Sequence, residues 1–327
     1  MYPAFHKAFP EKVIVSSESA SALSSRGSYL FPVTPGKTSP IRDGMGGDSA
    51  TSEVSAYELY AVDFGSSPDL VFEKQDQNPY VAGEFVWSGW DYLGEPTPYY
   101  NARSSYCGII DLAGFPKDRY FLYQSRWRPD LPMAHILPHW NWPGRVGEVT
   151  PVHVFTSGDE AELFLNGKSL GRKKKGRFEY RLRWDDVVYE PGTLLAVAYK
   201  DGDKWADCEI STTGPTAQIA LIPDRGVIHA DGRDLCFVTV RMEDQNGRFV
   251  ANDQSHISFS LEGPGEIIAT DNGFPADFTP FPSTERKAFN GLCLVIVRAI
   301  RGESGEIRLI AQTNGLPHSS TAIRVEH

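Results

Sequence analysis

From about residue 135 to its end, the chain is written in short runs of alternating apolar and polar residues separated by turn signals. That period of two suits half-buried strands and not helices. TPVHVFTS, EAELFLNGKSLGR, RFEYRLRW and GTLLAVAYKDG form a first set, with Asn166-Gly167 marking a two-residue hairpin. After TTGPTAQ a second set begins: IALIPD, DLCFVTVRMED, HISFSLEG, GEIIATD, GLCLVIVRAI and GEIRLIAQT. Each stretch is close to the ~100 residues of an immunoglobulin-like sandwich. Two antiparallel sandwiches are therefore predicted, over 135–212 and 215–327.

The first 134 residues follow another grammar. VIVSS reads as a buried strand ending on Glu18, and SASALSSRG as a helical turn stopped by glycine. Tyr29 to Ser52, rich in Gly, Pro, Ser and Asp, reads as an irregular loop. SSPDLVFEKQDQNPY predicts a helix starting at Ser66/Ser67/Pro68 and ending before Pro79. YVAGEFVWSGW predicts a second buried strand, and KDRYFLYQSRW a further helix. Strand, helix, strand, helix is the order of βα units on a parallel sheet. The expected fold class is α/β plus all-β.

A formal net charge of −10 gives no basic field for nucleic acid or an anionic membrane, so a neutral substrate fits better. RKKKGR at 172–177 is the only basic run, and it reads as a solvated hairpin. No run of about 18 apolar residues predicts a membrane span, and MYPAFHKAFPEK has no signal-peptide pattern. Cys107, Cys208, Cys236 and Cys293 form no CxxC pair and are expected as buried free thiols. His135, His139, Trp140 and Trp142 lack a metal-ligand spacing and are expected to pack between domains. No cofactor is expected.

Active sites of parallel α/β barrels lie at the C-terminal ends of the strands, which singles out carboxylates that follow apolar strands. Glu18 is one such residue, although capping the turn after it would serve as well. Trp87, Trp90 and Asp91, at the end of the second strand, would bring indoles and a carboxylate to the same mouth, or simply pack in the core.

At these residues the chain resembles a known family. FPEKVIVSSESASALSSRG, NPYVAGEFVWSGWDYLGEPTPYYN and SSYCGIIDLAGFPKDRYFLYQSRW are similar to the last two βα units of the β-galactosidases of glycoside hydrolase family 2. HILPHWNWPG with AELFLNGKSLG resembles the sandwich that follows their barrel. ADGRDLCFVTVRMEDQNGRFV resembles the bacterial, invasin-type immunoglobulin-like modules found further on. The resemblance covers essentially the whole chain. It implies the end of a (β/α)8 barrel over 1–134 and hydrolysis of terminal β-galactosides of oligo- or polysaccharides with retention. Glu18 falls on the family's nucleophile at the end of barrel strand seven, and Trp87 on the strand-eight aromatic that floors the sugar subsite. Asp91 matches a carboxylate that helps organise the site. Glu84, on the same strand as Trp87, is a further substrate-binding candidate that could face core or pocket. Cys107 departs from the pattern, since some relatives have Phe there and more distant galactosidases have Asn.

Retaining glycosidases work with two carboxyl groups about 5–5.5 Å apart. The resemblance implies that the acid/base is a Glu, usually after Asn, on strand four, yet the chain contains no Asn-Glu pair. A barrel also takes about 250 residues. Met1 thus reads as an internal start, one product of a split gene or an excised piece, and the chain alone is expected to be inactive. Its expected partners are a carbohydrate and either the N-terminal remainder of the enzyme or a second copy, in a periplasmic or extracellular setting. Family 2 also includes mannosidases and glucuronidases. The alternative from another class is a non-catalytic, adhesin-like carbohydrate-binding protein built on the two sandwiches.

Overall fold

The computed structural model describes residues 2–327, predominantly as β-strands. They form two compact units, the first extending to Thr212 and the second spanning Thr213–His327. No described helix is long and apolar enough to cross a membrane.

The first unit opens with helix α1 (Tyr2–Ala8) and strand β1 (Ile14–Ala20). Helix α2 (Pro68–Asp76) connects β1 to β2 (Val81–Trp87), which pairs with it in parallel, making one βαβ unit. Helix α3 (Asp118–Trp127) follows. α2 starts where Ser67-Pro68 predicts, but the Ser67 hydroxyl donates to the Lys37 carbonyl (2.6 Å) rather than capping the helix. Phe72 of α2 is fully buried, edge-on to Tyr123 of α3 at 5.3 Å and to Tyr180 at 5.2 Å.

Three expectations fail locally. VIVSS is not a buried strand ending on Glu18: β1 runs on to Ala20, and along Ile14–Glu18 only Ile14 is buried. SASALSSRG is not a helical turn: its amides are committed elsewhere, with Leu23, Ser24 and Ser25 donating to the carbonyls of Tyr60, Tyr106 and Val54. Those long-range bonds hold the segment extended, and Ala20 and Ser21 turn it at positive φ (67° and 53°). β2 is not a buried strand either. One of its edges pairs with β1, and its Phe85 and Trp87 face is exposed.

A sandwich completes the first unit. A four-stranded sheet runs in the order Lys168–Lys174, Glu160–Leu165, Thr193–Lys200, Asp203–Ser211, and a three-stranded sheet in the order Leu182–Trp184, Val152–Thr156, Ala134–Leu137. Burial alternates along Glu160–Leu165, whose inward Ala161, Leu163 and Leu165 join Trp140, Val154 and Trp184 in one core. The Asn166-Gly167 turn has positive φ at both residues, 51° and 78°, as a type I′ hairpin requires. In the basic run that follows, Arg172 and Lys174 pair with Glu160.

Val152–Thr156 breaks the alternation, being buried at every residue. Its outer side lies against the α/β part, where Tyr57 meets His153 edge-on at 5.0 Å and donates to the Pro151 carbonyl (2.6 Å). Arg181 reaches across in the same way, with Nε 2.9 Å from Asp69 of α2. The α/β segment and this sandwich therefore share one compact unit. His139 and Trp142 stack at 4.2 Å and meet Tyr29 of the α/β part edge-on. Burial pushes the His139 imidazole down to about 4, so it stays neutral there.

The second unit packs a four-stranded sheet (Gln218–Pro223, Leu235–Glu243, Leu292–Ala299, Gly265–Asp271) on a five-stranded one (Val227–His229, Ser319–Glu326, Gly305–Thr313, His256–Glu262, Glu285–Lys287). Inward Val238, Val240, Val295, Val297, Ile307 and Leu309 fill its core. Cys107, Cys236 and Cys293 are buried, whereas Cys208 is only half-buried, and none of the four forms a disulfide.

Candidate active site

β1 and β2 run side by side, with Ile14 opposite Val81 and Ala20 opposite Trp87. Between the pairs Ser16–Glu84 and Ser19–Val86 the register slips, so that Ser17 and Glu18 together face Phe85. Such a bulge places one extra residue in a strand and re-aims its side chains. Here it falls on Glu18, whose side chain is exposed. Past it, the C-terminal ends of the two strands open on a cavity of about 300 Å³. Glu18 and Trp87 both line it, with Tyr92, Glu95 and Cys107. The Trp87 indole is 37 % exposed; its Nε1 donates to the Tyr92 hydroxyl (3.1 Å), and the two rings meet edge-on at 5.9 Å.

Two of the four candidates do not reach this cavity. Glu84 lies three residues before Trp87, and side chains of a strand alternate between faces. It therefore points the other way, towards α2 and α3, where it accepts a hydrogen bond from the Ser19 hydroxyl. Burial raises its pKa.

Asp91 is fully buried beneath the cavity, 2.6 Å from Lys117 Nζ, and accepts the Gly108 amide at 2.7 Å. Burial pushes its carboxyl up to about 6 against the pull of Lys117. Its work is to hold the chain. Lys117 also donates to the carbonyls of Ser24 (2.8 Å) and Tyr106 (3.1 Å), tying three segments together. Two more buried pairs lie close by, Arg119–Glu58 (2.8 Å) and Arg26–Asp111 (2.7 Å).

Gly108 is required where that floor is tightest. A Cβ there would sit 2.0 Å from the Asp91 amide nitrogen and 2.4 Å from the Ile110 carbonyl oxygen, backbone atoms with no room to withdraw. Gly108→Ala should cost at least about 1–3 kcal/mol by overpacking. Urea unfolding of the chain measures it, and an unchanged midpoint would contradict the geometry.

Sequence reasoning missed Tyr92 and Glu95, although the argument that singled out Asp91 applies equally to a loop beginning at the same strand end. Cys107 does line the cavity, with Sγ 3.4 Å from the Ser88 hydroxyl. Among the described residues, no group of three or more His, Cys, Asp or Glu is placed to hold a metal ion.

Comparison with known proteins gives the family. Residues 219–322 match glycoside hydrolase family 2 C-terminal domain 5, and 147–206 match a domain of unknown function. A β-galactosidase of Bacteroides ovatus is 41% identical over 320 residues, covering 97% of this chain and 37% of its own length. A putative β-glucuronidase of Formosa agariphila is 33% identical over 260 residues, covering 77% and 24%. The crystal structure of a β-glycosidase from Bacteroides vulgatus superposes with a TM-score of 0.86 at 30% identity, covering 99% of this chain and 43% of that one. The chain thus spans well under half the length of these relatives.

The relatives mark the chain as part of a β-glycosidase. The chain belongs to glycoside hydrolase family 2 and corresponds to the C-terminal region of such an enzyme.

Proposed function

We propose that this chain supplies the nucleophile of a retaining β-galactosidase, one that hydrolyses terminal β-galactosides of oligo- or polysaccharides by double displacement. The observation that carries the reading is that Glu18 and Trp87, at matching ends of two adjacent parallel strands, line one cavity. In this reading β1 and β2 are strands seven and eight of a (β/α)8 barrel. The sugar ring lies on the Trp87 indole, and the Glu18 carboxylate attacks the anomeric carbon. An acid from the remainder of the enzyme protonates the leaving oxygen, then activates the water that releases the sugar.

The exposed apolar side chains of the βαβ unit support this. Val15 and Phe85 are 46% and 68% exposed, a surface suited to burial against further barrel strands. A pair of parallel strands also leaves edges open for pairing. The chain should therefore be inactive alone and active with its missing part. Co-expression with an N-terminal family-2 fragment carrying barrel strands one to six should yield turnover of a nitrophenyl β-galactoside that neither piece gives alone. Substantial turnover by the chain by itself would refute the reading.

A further inference from the structure

The loop after β2 contains an unused carboxylate. Its backbone is pinned as a ribbon: Ser105 donates to the Tyr92 carbonyl (2.8 Å), Tyr92 donates to the Ser105 hydroxyl (3.1 Å), and Gly94 donates to the Arg103 carbonyl (2.9 Å). At the turn, Glu95 adopts φ 47°, a left-handed conformation that costs a residue with a Cβ about 1–2 kcal/mol. Gly or Asn would fit there with less strain, so packing alone does not explain a glutamate. Its side chain lines the cavity with Glu18 and Trp87, and its Oε2 accepts the Tyr92 hydroxyl proton. The Tyr92 oxygen in turn accepts the Trp87 indole N–H. Indole, phenol and carboxylate thus form one directed chain, with the negative end in the cavity. The Tyr92 hydroxyl is held protonated, by burial first and then by Glu95.

We infer that Glu95 is a specificity-determining residue. Its carboxylate accepts hydrogen bonds from hydroxyls of a neutral sugar resting on Trp87 and repels a sugar that itself carries a carboxylate. This rests on the reading of Trp87 as the sugar platform. The choice matters in this family, because the relatives include both β-galactosidases and β-glucuronidases. A neutral hexose offers hydroxyl donors to a carboxylate acceptor. A hexuronate brings a second negative charge instead, and like charges a few ångströms apart repel each other even at a protein surface.

The test uses the complete enzyme assembled around this chain. Glu95→Gln keeps the size and one acceptor oxygen and removes the charge. Its kcat/KM for nitrophenyl β-galactoside should fall about 10- to 100-fold, the worth of a charged hydrogen bond. Its kcat/KM for nitrophenyl β-glucuronide should hold or rise, so the galactoside-to-glucuronide ratio shrinks at least about tenfold. Tyr92→Phe, which breaks the relay and leaves the charge, should lower galactoside turnover with a much smaller change in that ratio. A ratio unchanged in Glu95→Gln, or an unsubstituted enzyme that prefers the glucuronide, overturns the inference.

A binding arm needs no turnover. In Glu18→Gln, calorimetry with galactose and with glucuronate should show galactose preferred, and adding Glu95→Gln should narrow the gap; an unchanged gap overturns the inference. Failure of the functional reading looks different, because galactoside turnover would then survive Glu18→Gln whatever stands at 95.

Discussion

Glu18→Gln, in the enzyme assembled from this chain and the rest of its barrel, should lower kcat/KM for an aryl β-galactoside by about 10⁴-fold or more. An amide carries no negative charge and cannot displace a leaving group from an anomeric carbon, so the glycosyl-enzyme never forms. The fold should survive, because Glu18 is exposed and no described hydrogen bond or ion pair uses its carboxylate. Equal thermal midpoints for the two proteins would separate lost chemistry from lost structure. Glu18→Ala offers a sharper readout. Removing the side chain opens space on the face the carboxylate would attack, and azide can enter there. Azide should then restore part of the turnover and give an α-galactosyl azide, inverted because only one displacement has occurred. A Glu18→Gln enzyme within tenfold of the unsubstituted rate, or an Glu18→Ala enzyme indifferent to azide, would remove Glu18 from the chemistry.

How far such a site is legible in sequence depends on the range of the interactions that fix it. Alternation along Glu160–Leu165 and the Asn166-Gly167 turn are local, and both appear in the structure as written. Ser67-Pro68 marks the start of α2, because proline's fixed φ suits the first helical turn whatever lies around it. The segment 19–27 misleads because Ser and Ala tolerate a helical turn, and only amide bonds to residues about 30 to 80 positions away hold it extended. Glu84 and Trp87 differ by an odd number of residues, so opposite faces follow from the strand period; which face meets the cavity does not. Asp91 sits where a barrel's catalytic groups sit, yet its partner is Lys117, 26 residues on, and nothing local announces that pairing. Val152–Thr156 reads as an ordinary sandwich strand, and its second buried face comes from contacts with Tyr57, against His153, and Arg181, over Phe155.

That same pairing beneath the cavity should be among the most sensitive points of the fold. Lys117 is buried and holds Asp91 together with the Ser24 and Tyr106 carbonyls, so Lys117→Met removes the cation and leaves a carboxylate in a dry site. Breaking one side of a buried pair costs about 3–5 kcal/mol, which for a unit of this size lowers the melting temperature by roughly 10 °C. The loss should depend on pH. The Asp91 carboxyl already lies at about 6 in the folded chain, above the ~3.9 of an unfolded aspartate. A raised folded pKa means that its stabilising contribution is fully present below about pH 4 and is lost as pH rises through about 6. Lys117 is what pulls that pKa down, so removing it moves the folded value higher and extends the loss to higher pH. Lys117→Met should therefore be much less damaging at pH 4 than at pH 7. Adding Asp91→Asn, which keeps an acceptor for the Gly108 amide and removes the stranded charge, should recover about half of the loss at pH 7. Urea unfolding of the four proteins at both pH values measures this. A loss under about 1 kcal/mol, or one equal at the two pH values, would show that the floor of the cavity does not hang on this pair.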